Sequence, residues 1–441
     1  MVRAWGSRQV AYLLYGLSCL FIVIVTGLFL DRHLGLDHVN RFSKSLSDNP
    51  LAVQDTPLLP EPSTPAIPVS ADNLQDEYLS ETANGTEYRL SFEECSAEYS
   101  GLFKEIERSV ALQKQHGKIT AEDMDLHWKP FGAVRAMIYN QKLRIIEAKF
   151  DGNGYQSTRS VAILHQIDRA IRTSPFPLPN IEFSFTVDDI PDGAHAHHTI
   201  WSLSRLRIDA EMWLMPDFGY WSWALELVGE YEQIRAEMRQ NEVEWERKIP
   251  KALWRGAVKT NKEVRQALMD ATKGKDWADV NEVTWNTRTT VSGGSKAAAI
   301  PIADHCAYQF LINTEGSSYS GRQKYLLNCA SISIIHKAEW IEPHHHLMVP
   351  AGPNQNFVQV ERDFSDLEAK VEELLQDPER AKTIVKNSVA TFRDKYSSPT
   401  AQYCYWRQLF LSWADVSTAP QPWEIIGTRR RLRGTPFETF V

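Results

Sequence analysis

The chain has 441 residues, which is enough for two or three domains and a large hydrophobic core. Its formal net charge is −8, with 48 basic and 56 acidic residues, and this balance argues against nucleic acid as a partner. The composition favours a multidomain globular protein outside the nucleic-acid-binding classes.

An uncharged apolar segment occupies residues 10–30 (VAYLLYGLSCLFIVIVTGLFL) and is long enough to cross a lipid bilayer as a helix. It is longer than the apolar region of a typical signal peptide, and no clear cleavage site follows it. A cleaved signal peptide is the alternative. Because Arg3 and Arg8 precede the segment, residues 1–9 are predicted to form a cytoplasmic tail. The remainder is then luminal, as in a single-pass type II membrane protein.

Residues 31–88 are predicted to form a luminal stem. Prolines recur from Pro50 to Pro68 among polar and acidic residues, without a hydrophobic period, which is typical of an extended chain. The sequon at Asn84 agrees with luminal exposure. Beyond the stem there is an even number of cysteines, compatible with two disulfides in an oxidising compartment: Cys95, Cys306, Cys329 and Cys404.

Helical and strand patterns alternate from about residue 90 onward. Helices are predicted at 157–172, 229–248, 378–396 and 400–414, and a capping box at 365–368 opens another that ends at residue 376. Strands are predicted at 181–187, 252–256, 308–313 and 331–336. This alternation predicts an α/β architecture, with two doubly wound domains around a cleft. We assign residues 89–250 and 251–415 to these domains and residues 416–441 to a C-terminal tail.

A loop rich in small residues lies between the last two predicted strands, at residues 315–326 (EGSSYSGRQKYL). In a β-α-β unit, such a loop brings backbone N–H groups and a helix N-terminus together, which suits an anion. The serine hydroxyls can donate hydrogen bonds, and Arg322 can bind two oxygens at once. The pattern predicts a nucleotide-diphosphate site. A solvated Ser/Gly turn is the alternative, since the loop is neither a Walker loop nor a GxGxxG fingerprint.

Other motifs for catalysis or metal binding are weaker. Asp123 and Asp125 form a DxD pair, but they lie in a polar stretch rather than at a strand end. Zinc is the other metal alternative, from His195, His197 and His198 or from residues 344–346, but neither group has cysteine or carboxylate spacing. The absence of a GxSxG elbow leaves a hydrolase triad unsupported.

Several segments together resemble one family in order and spacing, over roughly residues 180–410. They are KALWRG at 251–256, the loop at 316–325, KYLLNC at 324–329, IHKAEW at 335–340 and FRDKY at 392–396. They resemble glycosyltransferase family 90, which includes protein O-glucosyltransferases and fungal capsule-associated xylosyltransferases, and look most similar to filamentous-fungal members. The resemblance implies a GT-B-like fold with two Rossmann-like domains. It also implies inverting transfer from UDP-xylose or UDP-glucose to a glycan or glycoprotein acceptor, with no required metal or other cofactor.

The resemblance also implies roles for individual residues. Arg322 would bind the pyrophosphate, and Arg255 and Arg265 would flank the donor. Ala257 stands where family members often have serine. The residues that would wrap UDP are Ser317, Ser318, Tyr319, Ser320, Gly321 and Arg322.

The family's catalytic base is an aspartate in a turn that corresponds to residues 188–191 here, which places Asp189 at the base position without the neighbouring arginine. The spacing of Cys306 and Cys329 matches a family disulfide, and Cys95 and Cys404, at the two ends of the globular part, are the remaining pair. The chain ends without an ER-retention tetrapeptide, so Golgi membranes are favoured over the ER. An inactive, membrane-anchored, lectin-like protein is the alternative function.

Overall fold

The computed structural model describes residues 87–150, 154–191, 199–223, 225, 228–283 and 299–441. The predicted membrane segment, the stem up to residue 86, the sequon at Asn84 and the histidines at 195, 197 and 198 lie outside these ranges. Within the ranges, no helix combines the length and the hydropathy needed to span a bilayer.

Helices occur along the whole described part of the chain. They are α1 (Phe92–Glu98), α2 (Lys104–His116), α3 (Tyr155–Arg172), α4 (Tyr231–Gln240), α5 (Lys262–Thr272), α6 (Gln323–Leu326), α7 (Leu367–Gln376), α8 (Pro378–Ser388), α9 (Pro399–Val416) and α10 (Phe437–Phe440). The helices predicted at 157–172 and 400–414 are confirmed as α3 and α9. The one predicted at 378–396 is α8 followed by a π-helix, Val389–Tyr396.

Two sequence predictions about helices are wrong in detail. The helix expected over 229–248 ends at Gln240, because the following segment packs inward: the Lys248 ammonium is buried and binds Glu242 and the Cys306 carbonyl. The capping box at the start of α7 does not form. Asp366 occupies the N-cap position, but its carboxylate accepts the Glu361 N–H at 2.8 Å instead of capping the helix.

Strands form two large sheets and three two-stranded ones in the described residues. In chain order they are β1 (Ala133–Tyr139), β2 (Lys142–Lys149), β3 (Ile181–Thr186), β4 (Trp201–Ser202), β5 (Arg205–Leu206), β6 (Trp213–Leu214), β7 (Ser222–Trp223), β8 (Gly229–Glu230), β9 (Ile249–Gly256), β10 (Ala278–Glu282), β11 (Tyr308–Asn313), β12 (Ile332–His336), β13 (Trp340–Ile341), β14 (Val358–Val360), β15 (Trp423–Ile426), β16 (Arg429–Leu432) and β17 (Thr435–Pro436).

The first large sheet has six strands in the order β17-β2-β1-β3-β4-β6 and is mixed. β1 is antiparallel to both β2 and β3, whereas β3, β4 and β6 are parallel. The chain reverses between β1 and β2 at Asn140 and Gln141, whose φ angles are +49° and +62°. Two successive positive φ values match the twist of a tight hairpin. This arrangement differs from the doubly wound sheet predicted for residues 89–250.

The second large sheet has five strands in the order β10-β9-β11-β12-β14, and all of its pairs are parallel. The predicted β-α-β unit is confirmed in its strands, since β11 and β12 pair from Phe310↔Ile332 to Asn313↔Ile335. From β9 the chain passes to β10 on one side and later to β11 on the other. The carboxyl ends of β9 and β11 therefore form a topological switch point, where open α/β sheets bind ligands.

Much of the tryptophan content is structural. Trp201 stacks on Phe183 with ring centroids 4.2 Å apart, and Trp413 contacts both Trp201 and Trp213 edge-on at 5.2 and 5.0 Å. All these side chains are buried, and the contacts fasten α9 onto the six-stranded sheet. Such aromatic pairs contribute beyond the area that they bury.

Both predicted disulfides are confirmed. Cys306 and Cys329 join the start of β11 to the end of the loop segment, across 23 residues. Cys95 and Cys404 join α1 to α9 across 309 residues, with their Cα atoms 5.6 Å apart.

Candidate active site

The loop after β11 lies at the switch point and is braced from β9 and α5. Trp254 Nε1 donates to Thr314 Oγ1 at 3.1 Å, which ties the ends of β9 and β11 together. Arg265 on α5 donates to the carbonyls of Glu315 (3.0 Å) and Ala257 (2.8 Å). A Cβ atom at Gly316 would lie 3.3 Å from the Arg265 guanidinium, so glycine allows this close approach. The loop's backbone is thereby fixed.

Arg322 and Arg265 bring two guanidiniums to this point. Each lies about 6 Å from the Trp254 ring (5.9 and 5.8 Å). Burial lowers the pKa of Arg265 to about 10, and burial together with the charge of Arg265 lowers the pKa of Arg322 to about 9. Both stay charged at neutral pH, and neither contacts a carboxylate within the described ranges. Arg322 Nε has no hydrogen-bond partner there. An anion would satisfy this pair.

Arg255, the third predicted arginine, is already neutralised. Its Nη2 lies 2.7 Å from Asp279 Oδ1, and its Nη1 donates to the Asp279 carbonyl at 2.7 Å. Its own carbonyl accepts a hydrogen bond from Arg322. Arg255 therefore supports Arg322 through the backbone, while its side chain is turned toward β10.

Lys324 does not join the arginines, although the sequence placed it beside Arg322. Its ammonium is buried and lies 2.6 Å from Asp217 Oδ1. Asp217 also accepts hydrogen bonds from the Tyr319 hydroxyl and from the Gly219 N–H at 2.6 Å. Burial and the Asp217 charge raise the pKa of Tyr319 well above its usual value. Sequence reasoning missed Asp217 because it is more than 100 residues away in the chain from Tyr319 and Lys324.

The helix expected after the loop is α6, which has only one turn. Ser317 is exposed, and Ser318 is buried with its hydroxyl unpartnered in the described part of the chain. Gly321 packs against Trp223: a Cβ atom added at Gly321 would lie 3.1 Å from the Trp223 ring. An anion at this loop would therefore contact side chains and loop backbone more than a helix N-terminus.

A cavity of about 230 Å³ opens beside the loop and is lined by Tyr319 and Ser320. Its other walls come from β12 and the segment after it, including His336, Trp340, Glu342 and His345. Burial raises the pKa of Glu342 to about 8, so this carboxyl is protonated at neutral pH. A neutral carboxyl can both donate and accept a hydrogen bond. The cavity therefore combines an aromatic wall with hydroxyl-binding groups.

The acidic turn after β3 places two aspartates in different surroundings. Lys129 Nζ lies 2.5 Å from Asp188 Oδ2, and Gln156 Nε2 lies 2.5 Å from Asp188 Oδ1. Asp189 lies 2.6 Å from Arg159 through Oδ1 only, and its side chain is 40% exposed. Within the described residues, Asp189 Oδ2 has no hydrogen-bond partner. Asp188 is held inside the turn, and Asp189 keeps one carboxylate oxygen without a partner in the described part of the chain.

A chain of side chains connects this turn with the loop. The Arg159 guanidinium lies 4.5 Å from the Phe218 ring, and Lys324 Nζ lies 5.9 Å from the same ring. Arg159 therefore contacts both the acidic turn and the ring that Lys324 approaches from the loop, and nothing in the sequence identified it.

The alternative metal motifs serve other contacts. Asp123 Oδ2 accepts the Thr120 N–H at 2.7 Å, and Asp125 Oδ1 accepts the His127 N–H at 2.8 Å. His346 Nε2 lies 2.5 Å from the Gly101 carbonyl oxygen. Across the described ranges, no three His, Cys, Asp or Glu side chains are grouped as metal ligands.

Comparison with known proteins identifies the family. The model of glycosyl transferase family 90 matches residues 93–422. Protein O-glucosyltransferase 1 of Rattus norvegicus is 22% identical over 272 residues, covering 58% of this chain and 67% of the relative. The O-glucosyltransferase rumi homolog of Anopheles gambiae is 24% identical over 341 residues, covering 71% and 84%. Protein O-glucosyltransferase 3 of Rattus norvegicus is 26% identical over 152 residues, covering 32% and 29%. Since the family model matches most of the chain, the chain belongs to glycosyl transferase family 90 and is a glycosyltransferase.

Proposed function

We propose that this glycosyltransferase moves a sugar, xylose or glucose, from a UDP-sugar to a hydroxyl of a glycan or glycoprotein, with inversion at the anomeric carbon. The two large sheets would contribute the two halves of a GT-B-like cleft. The donor would lie on the five-stranded sheet, and the acceptor would face the acidic turn of the six-stranded sheet.

The observation that carries the donor proposal is the pair Arg322 and Arg265 at the switch point. Two like charges brought together cost free energy unless an anion accompanies them. A diphosphate supplies that anion, and guanidiniums bind its oxygens in a bidentate manner. When the bond between the anomeric carbon and UDP breaks, negative charge grows on the leaving oxygen, and Arg322 would stabilise it. The two guanidiniums would thus neutralise the charge of the diphosphate, a role that a divalent cation has in other transferases.

The 230 Å³ cavity beside the loop supports a pocket for part of the donor. Tyr319 and Ser320 line it and precede Arg322 by three and two residues in the chain, so a group attached to a diphosphate at Arg322 would enter it. Glu342 would exchange hydrogen bonds with hydroxyls of that group, since its carboxyl is neutral at the pH of the secretory pathway.

Asp189 is the proposed general base. Its free oxygen would take the proton of the acceptor hydroxyl while the hydroxyl oxygen attacks the anomeric carbon on the face opposite UDP. Asp188 fits this role less well, because Lys129 and Gln156 occupy both of its oxygens. The arginine absent from the turn itself has a counterpart in Arg159, which orients Asp189 from α3.

Ala257 bears on the alternative of an inactive, lectin-like protein. Its carbonyl still braces Arg265 at 2.8 Å, a contact that does not depend on the side chain. The substitution from serine therefore leaves this support intact, which favours an active enzyme.

A donor screen tests the proposal. The purified full-length protein is incubated with UDP-xylose, UDP-glucose and other UDP-sugars, and the released UDP and the glycosylated acceptor are measured with and without EDTA. We expect UDP to be released with one of these donors, and we expect EDTA to leave the amount released unchanged. Glycan binding without UDP release under any donor would establish the lectin-like alternative, and strict dependence on Mn²⁺ would contradict the arginine mechanism.

The location in Golgi membranes, with the catalytic part luminal, is also part of the proposal. The apolar segment at 10–30 with Arg3 and Arg8 before it supports this orientation. Protease protection of the C-terminal part in intact microsomes tests it, and a soluble product cleaved after the apolar segment would contradict it.

A further inference from the structure

A line of contacts joins the loop after β11 to the acidic turn after β3, and Trp223 lies within it. The edge of the Trp223 ring packs against Gly321, and its centroid is 5.2 Å from that of the Phe218 ring. The Phe218 ring lies 4.5 Å from the Arg159 guanidinium, which binds Asp189 at 2.6 Å. We propose that Trp223 contacts the sugar that the enzyme transfers. The inference rests on the proposed function and adds the direction in which the donor lies.

Packing fixes the Trp223 ring at the loop. The ring lies against the hydrophobic core of the six-stranded sheet and also against the cluster that contains Leu326 and Cys329, at the end of the loop segment. A Cβ atom at Gly321 would crowd the ring, so glycine at this position allows the contact. Gly321 immediately precedes Arg322, the proposed ligand of the diphosphate. The ring therefore borders the place where the bond between the diphosphate and the sugar would break.

Exposure decides which ring in this line can touch a ligand. The Phe218 side chain is 1% exposed and is covered by its neighbours. Trp223 is partly exposed, so part of its ring is accessible. Trp221, two residues earlier, is also partly exposed, but it stacks on His165 of α3 with the ring centroids 5.0 Å apart, and the Arg169 guanidinium lies 4.1 Å from it. Within this line of contacts, Trp223 is therefore the ring that a donor can reach.

A UDP-sugar carries uridine and the sugar at opposite ends of its diphosphate. The cavity of about 230 Å³ is lined by residues between 313 and 359, including Trp340, and is walled by the ends of β12 and β14. In an inverting transfer the acceptor attacks from the face opposite UDP, so the sugar lies between the diphosphate and the base. The contacts of Trp223 lead toward Asp189, and the cavity lies beside the five-stranded sheet. Uridine therefore belongs in the cavity, where its ribose hydroxyls would reach Glu342, and the sugar belongs at Trp223.

The chemistry of the indole ring suits a sugar. A pyranose presents C–H groups between its hydroxyls, and these pack against a broad apolar aromatic surface. Positive charge grows on the sugar ring as its bond to the leaving oxygen breaks, as in glycoside hydrolysis, and the face of a tryptophan attracts positive charge within about 6 Å. The Lys324 ammonium, 5.9 Å from the ring centroid, is neutralised by Asp217 at 2.6 Å. Trp223 would therefore lower the barrier to transfer as well as hold the donor.

Fluorine NMR tests the direction of the donor. Full-length protein containing 5-fluorotryptophan is prepared in detergent micelles, and the variants Trp221→Phe, Trp223→Phe and Trp340→Phe assign the three resonances. Spectra are recorded with UDP, with UDP-xylose and with UDP-glucose. We expect UDP alone to shift the Trp340 resonance, because this ring lines the cavity. One of the UDP-sugars should shift the Trp223 resonance as well, and none of the three nucleotides should shift that of Trp221.

The other outcomes are distinct. A Trp223 resonance that responds to UDP alone, with a Trp340 resonance that responds only to a UDP-sugar, would reverse the direction and overturn the proposal. So would a Trp223 resonance that stays in place with both UDP-sugars while Trp340 responds to UDP. If no nucleotide shifts any of the three resonances, the proposed function itself fails.

Kinetics supply the second measurement. Trp223→Ala should lower kcat/KM for the donor about 10–100-fold, the cost of losing one buried aromatic contact, and should change the Kd of UDP in calorimetry by less than about twofold. Trp223→Phe should recover most of the loss. Trp221→Ala is the matched control and should keep both values, because its ring packs on α3. Equal losses at the two positions, or a parallel loss of UDP affinity in Trp223→Ala, would show a structural role and contradict the proposal.

Discussion

Replacing Glu342 with glutamine should make the folded protein more resistant to rising pH. The pKa of this carboxyl is raised from 4.5 in the unfolded chain to about 8 by burial. Between these values the folded state holds a proton that the unfolded state has lost, so unfolding is favoured as the pH rises. The contribution of this carboxyl to the free energy of unfolding is fully present below pH 4.5 and decreases between pH 4.5 and about pH 8. Above about pH 8 it no longer changes. Glutamine has the same shape and does not titrate.

Between these pKa values the free energy of unfolding of the wild type falls by about 1.4 kcal/mol per pH unit because of this group. The free energy of unfolding of the variant should therefore rise by about 2–3 kcal/mol relative to wild type between pH 5 and pH 7. With about 330 ordered residues, the unfolding entropy is roughly 0.7 kcal/mol per degree, and the difference in Tm should grow by about 3–4 °C.

Differential scanning fluorimetry at pH 5, 6, 7 and 8 measures this difference. Glu263→Gln, at an exposed position on α5, is the control and should show a gap that stays constant with pH. A constant gap for Glu342→Gln as well would refute the reasoning, because it would mean that this carboxyl is ionised in the folded protein.

Three further variants address the site and its supports. Arg322→Ala should lower turnover by about 10²-fold, as measured by UDP release, and wild-type rates would exclude a role in stabilising the departing diphosphate. Asp189→Asn should retain UDP binding in calorimetry and lose transfer by about 10²–10⁴-fold; if Asp188→Asn abolishes transfer and Asp189→Asn does not, the base is the preceding residue. Gly132→Ala should destabilise the protein by about 2 kcal/mol or more, because Gly132 has φ +70° and a Cβ there would lie 2.2 Å from Asp188 Oδ1; an unchanged Tm would show that the turn can shift.

Local sequence patterns predicted the helices and strands whose formation depends on residues close together in the chain. The apolar run of β11, the amphipathic α3 and the aromatic α9 were predicted with bounds close to those observed. The resemblance to the family supplied the disulfide between Cys306 and Cys329.

Contacts between distant segments were not accessible in this way. Lys324 carries the same charge as Arg322 and lies two residues from it, yet Asp217 withdraws it from the site. The antiparallel turn of β1 and β2 depends on positive φ at Asn140 and Gln141, a dipeptide that signals a hairpin much less clearly than Asn-Gly. Likewise, the predicted C-terminal tail gave no indication that Arg433 anchors a hairpin on Glu182.

The disulfide between Cys95 and Cys404 has a consequence for biosynthesis. Its partners lie 309 residues apart, so the first helix cannot be locked until nearly the whole catalytic region has left the ribosome. At translation rates of about 5–20 residues per second, Cys95 waits roughly 15–60 s for its partner. Cys306 and Cys329 emerge in about the last third of that interval, and the oxidants of the compartment can pair either of them with Cys95 before Cys404 appears. Vectorial synthesis therefore allows a wrong bond to form before the native one, and the yield of active enzyme should depend on the thiol–disulfide isomerases of the compartment in which it folds.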